Sequence, residues 1–301
     1  MKKFFLIWPI LIIVSLPVGA VFQNLNETPR TLIVGNSGVA RPQSDSFLVV
    51  NPAGLGREEK HIFLNYRKYL FDSPTAGDDI PGYISADLSQ QYVSVGGWPL
   101  TSGNIWKMSV GIWQMKSPAY SEIAYLLGTG AAVSLPSENS RLNLGVTLKI
   151  LQLNYRPDDY IQDYLNRYGS SKSAVSLDAG LQYEWRRDIF GVVVSNILPA
   201  DIGLLETTNV LPEIQLGYWH DFGRFNLSGD VIWRRGNSAT AGLGAELPLT
   251  SFLKIAAGLN QQKVGAGIIL DTSKYSLTLA VVDLYQMENS ALIDVGFKWR
   301  W

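Results

Sequence analysis

Residues 291–301 read ALIDVGFKWRW, and along them apolar and polar side chains alternate up to a closing tryptophan. Because successive side chains of a β-strand point to opposite faces, the stretch predicts a strand with one wholly apolar face. That face comprises Ala291, Ile293, Val295, Phe297, Trp299 and Trp301. Such a strand at the edge of a sheet in water would favour aggregation. Closure into a barrel removes the edge and lipid suits the apolar face, so the stretch favours a transmembrane β-barrel over an ordinary amphipathic terminal strand.

Stretches with the same two-residue period recur from His61 to the end of the chain, and turn sequences such as PSEN, DFGR and DTSK separate them. The predicted strands cover residues 60–68, 89–98, 104–115, 122–135, 140–154, 173–186, 189–197, 212–221, 224–234, 239–247, 252–260, 263–270, 275–285 and 289–301. The predicted fold class is therefore all-β: a transmembrane antiparallel β-barrel of about 14 strands, an even number as in bacterial barrels.

The connections and the inward-facing residues complete the predicted barrel. The three longest connections, around 69–88, 155–172 and 198–211, fall on one side of the sheet. Because outer-membrane barrels have short periplasmic turns and longer extracellular loops, both termini are expected in the periplasm. Polar residues such as Asp178 and Asp230 alternate with apolar ones and predict a polar lumen. Glycines in GTGAAV (128–133) and GLGAEL (242–247) are expected to ease barrel curvature.

The start of the chain reads MKKFFLIWPILIIVSLPVGA, with two lysines, a short apolar stretch and small residues at its end. This layout is typical of a secretory signal peptide, expected to cover residues 1–20. The chain has no cysteine, which excludes disulfides and thiolate metal sites. Without Lys2 and Lys3 the formal net charge changes from −1 to −3, so no nucleic-acid partner is indicated. An exported barrel of this kind is expected in the outer membrane of a Gram-negative-type bacterium, in contact with outer-membrane lipid.

Residues 21–58 lack sustained alternation and are rich in Asn, Ser, Gly and Pro, which predicts an irregular segment. The segment is too polar to face lipid and too short to form a domain with its own core. A lumen of about 14 strands is also wider than the eight-stranded size that its own side chains fill. We therefore expect residues 21–58 to form a plug inside a barrel that covers residues 59–301.

Catalysis and cofactor binding are not indicated by any pattern in the chain. The histidines available as a general base are His61 and His220, and each is expected at the membrane interface. No catalytic residue, metal ligand or cofactor-binding residue is therefore predicted, and a non-enzymatic role is expected.

The predicted loop RPDDYIQDYLNRYGSSKS repeats tyrosine at helical spacing, at Tyr160, Tyr164 and Tyr168. A proline and two aspartates precede the repeat and can begin a helix. The pattern predicts a short amphipathic helix. It would bind a partner or cover the mouth of the lumen, or it would pack on neighbouring loops.

The end of the chain resembles the C-terminal assembly signal of bacterial outer-membrane barrels. The residues that match are Asp294, Gly296, Trp299 and Trp301. The resemblance implies that the barrel-assembly machinery recognises this strand.

Residues 35–56, GNSGVARPQSDSFLVVNPAGLG, resemble the N-terminal signature of the PorV/PorQ proteins and of the FadL-like fatty-acid transporters. The motif residues are Asn51, Pro52, Ala53, Gly54 and Leu55. The resemblance implies a barrel with a luminal plug and a role as carrier or scaffold in type IX-like protein secretion. Secreted proteins or secretion-system components would then be its partners. The alternative is FadL-like transport of long-chain fatty acids or other hydrophobic molecules across the outer membrane.

Overall fold

The computed structural model describes residues 22, 24–71, 88–100, 105–136, 139–156, 162–204, 207–235, 238–285 and 290–301. Fourteen strands form one closed antiparallel barrel. They are β1 (His61–Phe71), β2 (Ser89–Pro99), β3 (Trp106–Lys116), β4 (Tyr120–Ser134), β5 (Ser140–Tyr155), β6 (Ser171–Trp185), β7 (Asp188–Ser195), β10 (Glu213–Asp221), β11 (Asn226–Arg234), β12 (Thr240–Pro248), β13 (Leu253–Asn260), β14 (Val264–Asp271), β15 (Tyr275–Asp283) and β16 (Ser290–Arg300). The predicted fold class and strand positions are confirmed.

A small hairpin in the connection from β7 to β10 was missed by the sequence prediction. Its strands, β8 (Ala200–Asp201) and β9 (Asn209–Val210), pair only with each other among the described residues. Each has two residues, so neither shows a period-two pattern that could be recognised in the sequence.

Pairing between the first and last strands closes the barrel. In this antiparallel pair His61 lies opposite Arg300 and Phe71 lies opposite Ser290. The backbone N–H of Trp301 also donates to the carbonyl oxygen of Lys60 at 3.2 Å. The C-terminal strand therefore has partners on both sides and presents no edge.

The two ends of the barrel differ in the length of their connections. The end that carries Trp301, here called the terminal end, has the turns between β6 and β7 and between β14 and β15, which are short. The opposite end, here called the loop end, carries the long connections after β1, β5 and β7. Outer-membrane barrels have short periplasmic turns, so the terminal end faces the periplasm.

The outer surface is apolar, as the alternation predicts. Along β16, Ile293, Phe297 and Trp299 are exposed outward, whereas Leu292 and Asp294 point inward and are buried. Such a surface is stable in lipid, and a closed barrel leaves no unpaired backbone in the hydrocarbon. The protein is therefore an outer-membrane barrel. No helix in the described part of the chain is long and apolar enough to cross a membrane.

The N-terminal segment, residues 24–58, lies inside the barrel. It contains helix α1 (Pro29–Leu32), helix α2 (Phe47–Val50) and a 3₁₀ turn (Pro52–Arg57). Thr28 caps α1 by accepting a hydrogen bond from the backbone N–H of Thr31, and Pro29 occupies the first turn. Among the short connections outside this segment, the described loop from β5 to β6 adds helix α3 (Gln162–Tyr168).

Inward-facing glycines bring the wall into direct contact with this segment. A Cβ at Gly244 would overlap Val34, and one at Gly265 would overlap the carbonyl of Leu32. We call the set of such glycines opposite residues 32–40 the glycine-lined region: Gly191, Gly217, Gly242, Gly244, Gly258 and Gly265. The expectation that glycines such as Gly242 and Gly244 only ease curvature is therefore wrong, because they make room for the backbone of the segment.

Candidate functional site in the barrel lumen

An apolar chamber lies in the lumen between the long strands β3–β5, the hairpin β8–β9 and the N-terminal segment. Its lining residues are Phe22, Leu25, Val49, Trp113, Met115, Leu151, Leu153, Ile202 and Val210, all buried in one apolar cluster. The predicted polar lumen is wrong for this part of the wall. On β5 the outward residues Leu148 and Ile150 and the inward residues Leu151 and Leu153 are all apolar, since the inner face here packs against side chains rather than water.

A small cavity lies beside Phe22 and between the segment and the wall. Its lining residues are Phe22, Leu25, Asn26, Val49, Lys149, Leu151, Asp178, Ser195, Asn196, Val210, Leu211, Glu213 and Arg234. The cavity volume is about 40 Å³, whereas an apolar cavity that binds benzene measures roughly 150 Å³. The chamber is therefore closed to an aromatic guest in this conformation, and the ring of Phe22 fills part of the space that such a guest would need.

Phe22 is held in the chamber by contacts with two wall residues. Its ring centroid lies 6.1 Å from that of Trp113, and its backbone N–H donates to Oε2 of Glu122 at 2.8 Å. Its φ of 63° is in the left-handed region, which costs an ordinary L-residue about 1–2 kcal/mol. Movement of Phe22 would relieve this strain and join the cavity to the space beside Trp113.

Past the chamber, a cluster of charged side chains fixes the segment to the wall. Arg67 is fully buried, and its Nη1 donates to Oε2 of Glu27 at 2.9 Å. Its Nη2 donates to Oδ2 of Asp294 at 2.8 Å. Lys263 donates to the other oxygen of Glu27. One carboxylate of the segment is thus bound to β1 and to the connection before β14, and Arg67 links it to β16. Breaking one partner of such a buried pair is strongly destabilising.

The charge state of Glu27 follows from these contacts. Burial alone would raise the pKa of its carboxyl, but the charges of Lys263 and Arg67 outweigh burial and lower the pKa to about 2. Nδ2 of Asn36 also donates to this carboxylate at 2.9 Å. Glu27 is therefore ionised at neutral pH and remains attached to both cations.

The predicted motif Asn51, Pro52, Ala53, Gly54 and Leu55 lies within the lumen and is buried throughout. Oδ1 of Asn51 accepts from the backbone N–H of Ala53 at 3.0 Å, and its Nδ2 donates to the carbonyl of Val39 at 2.7 Å. Side chains at Gly130 and Gly145 would collide with the carbonyl of Pro52. The motif thus ties two stretches of the segment together and seats them against β4 and β5.

Further ion pairs bind the segment near the terminal end. Nε of Arg30 lies 3.1 Å from Oε1 of Glu246, and Arg41 contacts the same carboxylate. Nζ of Lys298 lies 3.1 Å from Oε1 of Glu58. The segment is therefore bound at both ends of the lumen, to β12 and β16 as well as to β1.

The predicted assembly residues divide between the two faces of β16. Trp299 and Trp301 face outward with ring centroids 5.2 Å apart. Asp294 is buried against Arg67, and Gly296 is packed between Pro29 and Phe63. The sequence analysis missed these inward contacts because their partners are distant in the chain. Recognition of the four residues by the assembly machinery stays a prediction.

The loop tyrosines are only partly placed by the structure. Helix α3 confirms the predicted helix over Gln162–Tyr168; Leu165 on it is buried and Tyr168 is exposed. Tyr160 lies outside the described residues, as does the side chain of Tyr164. Partner binding by this loop stays a prediction.

The two histidines occupy different environments. His220 is partly exposed near the terminal end and its Nδ1 lies 2.7 Å from Oδ1 of Asp188. His61 is fully buried and lies 3.6 Å from Glu58, so its predicted interfacial position is wrong. In the described part of the chain, no group of three His, Cys, Asp or Glu side chains is arranged to hold a metal ion.

A closed, externally apolar barrel whose lumen holds an apolar chamber and an inserted N-terminal segment has the architecture of the FadL-like outer-membrane channels. The CymD monoaromatic hydrocarbon channel is similar over 93% of this chain and 99% of its own, with 11% identity and a TM-score of 0.67. The toluene transporter TbuX of Ralstonia pickettii is similar over 93% and 100%, with 11% identity and a TM-score of 0.62. A FadL homologue of Pseudomonas aeruginosa is similar over 91% and 98%, with 11% identity and a TM-score of 0.57.

These similarities establish the fold at an identity that cannot carry function over directly. No protein-family model and no curated protein sequence matches the chain. Of the two functions expected from the sequence, the structural neighbours favour FadL-like transport of hydrophobic molecules over a role in secretion. They add nothing to the resemblance to PorV/PorQ.

Proposed function

We propose that the protein is a channel through which small hydrophobic molecules cross the outer membrane. The apolar chamber carries this proposal, because a lumen that conducts only polar solutes has no use for apolar side chains on the inner face of β3–β5. Three structural neighbours are named as a monoaromatic hydrocarbon channel, a toluene transporter and a FadL homologue. A monoaromatic compound is therefore the first substrate to test.

In this proposal the N-terminal segment is the plug, and the chamber is the binding site that opens when Phe22 moves. The cavity is too small to admit a guest beside Phe22. The ion pairs of Glu27 and the glycine-lined region keep the rest of the segment in place. A hydrophobic molecule can then bind without a continuous water-filled pore through the barrel.

Uptake of labelled toluene by cells that express the protein tests this function. Leu151→Gln places an amide in the chamber, and we expect about tenfold slower uptake because the guest would have to bury an unpaired polar group. Leu292→Gln is the matched control, since Leu292 is also buried and inward-facing but belongs to a separate apolar cluster. Heat-modifiable mobility on gels shows that both variants are folded. Equal uptake by wild type, Leu151→Gln and cells without the protein would refute the proposal.

A carrier role in protein secretion remains the second candidate, and it rests on the motif Asn51–Leu55. In that case the motif would seat the segment without any guest in the chamber. Loss of the protein would then reduce the amount of secreted proteins at the cell surface and leave toluene uptake unchanged, and the uptake assay with a parallel surface-protein assay separates the two functions.

A further inference from the structure

Glu122 is a buried carboxylate beside the apolar chamber. Its exposed fraction is 1%, and the β4 residue Ala124, two positions along on the same inner face, belongs to the apolar cluster. Within the described chain, no basic side chain forms an ion pair with Glu122, and its hydrogen bond comes from the backbone N–H of Phe22 at 2.8 Å. Burial of a carboxylate without a paired cation is strongly unfavourable, so a purely hydrocarbon channel would be better served by an apolar residue here.

The indole of Trp113 adds a second polar group to the same place. Its Nε1 is buried and has no hydrogen-bond partner in the described structure. Antiparallel pairing sets Met115 opposite Glu122 and Trp113 opposite Ala124, so Trp113 and Glu122 are diagonal neighbours on the inner face. Such diagonal pairs have side chains close enough to contact one group between them. One acceptor and one unused donor therefore face the space that Phe22 fills.

Phe22 itself shows what this space accepts. It presents an aromatic ring to Trp113 and a hydrogen-bond donor to Glu122. If Phe22 moves out, both Glu122 and Trp113 are left buried without partners, which costs free energy unless the guest replaces the lost hydrogen bond. A guest with a ring and a hydroxyl group satisfies both residues, because a hydroxyl both donates and accepts.

We propose that Glu122 and Trp113 select hydrophobic aromatic molecules that carry a hydroxyl group, of the phenol class, in preference to plain hydrocarbons. The hydroxyl donates to Glu122 and accepts from Nε1 of Trp113 while the ring packs in the chamber. This inference rests on the proposed channel function and specifies its substrate class.

Three probes of similar size separate the contributions of the two residues. Toluene offers no polar group, 4-methylanisole offers an acceptor, and p-cresol offers a donor and an acceptor. Equilibrium dialysis against the purified full-length protein in detergent, corrected for partition into micelles, gives the affinity for each probe. We expect p-cresol to bind wild type about tenfold or more tightly than toluene, the usual effect of a hydrogen bond to a charged group.

Variants then assign the preference to particular residues. Glu122→Leu should abolish the preference for p-cresol and tighten toluene binding, and Trp113→Phe should weaken p-cresol and 4-methylanisole but not toluene. Gln152→Leu is the control, because Gln152 lies opposite Ile123 on the neighbouring strand and outside the apolar cluster. Heat-modifiable mobility confirms the fold of each variant.

The outcomes distinguish failure of the inference from failure of the channel function. If toluene and p-cresol bind equally to wild type, or if Glu122→Leu keeps the preference for p-cresol, the proposed selectivity is refuted while the channel function stands. If none of the three probes binds wild type, the channel function fails as well.

Discussion

The glycine-lined region and the apolar chamber contact the same N-terminal segment in different ways. On the short strands β12–β14, glycines let the backbone of residues 32–35 lie directly against the wall. On the long strands β3–β5, the large side chains of Trp113, Leu151 and Leu153 meet Phe22 and Leu25 instead.

This difference indicates which part of the segment can move. Backbone-to-backbone packing at glycines is short-range and has no flexible side chain that could adapt, so displacement there requires the wall to separate. Side chains in the chamber can change rotamer on a fast timescale. We infer that the segment is fixed on the glycine side and opens on the chamber side.

The largest effect is expected from removing most of the segment. Deletion of residues 24–50 takes away both the part held by glycines and the part in the chamber, and a barrel of 14 strands is too wide to be filled by its own side chains. We expect a large, permanently open conductance in planar bilayers, from protein that keeps heat-modifiable mobility. Wild-type conductance from such folded protein would mean that the segment does not close the lumen, and the comparison would lose its basis.

The sequence alone predicts the wall well and the contents of the lumen poorly. Alternation such as that of ALIDVGFKWRW requires only neighbouring residues, so strands and their lipid-facing sides could be assigned. The partner of Gly244 is Val34, which is more than two hundred positions away and has no sequence signal of its own. One signal was present and overlooked: LKILQL (148–153) on β5 breaks the alternation with apolar residues on both faces, which indicates a wall with an apolar inner side.

A single methyl group tests the glycine side. Gly244→Ala should push Val34 away, since overpacking of this kind costs about 1–3 kcal/mol. We expect trypsin to cleave after Arg30 or Arg41 several times faster than in wild type, together with a partial increase in conductance. Gly229→Ala on the adjacent strand is the control, because a Cβ there meets only the end of the flexible Leu243 side chain and one more distant carbonyl. Equal cleavage of the two variants would show that the glycine contact does not fix the segment.

The chamber side is tested by shortening the side chain that fills it. Phe22→Ala enlarges the cavity without touching the residues opposite the glycines. We expect toluene uptake to rise a few-fold while ionic conductance stays at the wild-type level. Phe225→Ala, on the outer surface, should change neither quantity. If Phe22→Ala conducts ions as strongly as the deletion of residues 24–50, the chamber and the glycine side open together and the two regions are not independent.

The smallest effect is expected from acid, because the charged attachment between the two regions resists protonation. The pKa of Glu27 is lowered to about 2, against the rise that burial alone would cause, by Lys263 and Arg67. A depressed carboxyl pKa stabilises the folded protein above the unfolded pKa of about 4.3, and that contribution is lost as pH falls through the folded value. Bilayer conductance should therefore stay low from pH 7 to pH 4 and rise only on approach to pH 2. Glu27→Gln removes the charge at every pH and should conduct more than wild type already at pH 7, whereas Glu59→Gln, at the exposed terminal end, should match wild type. A steep rise in wild-type conductance between pH 6 and pH 5 would show that Glu27 is not held ionised by its two cations, and that the segment is retained by packing on the glycine side alone.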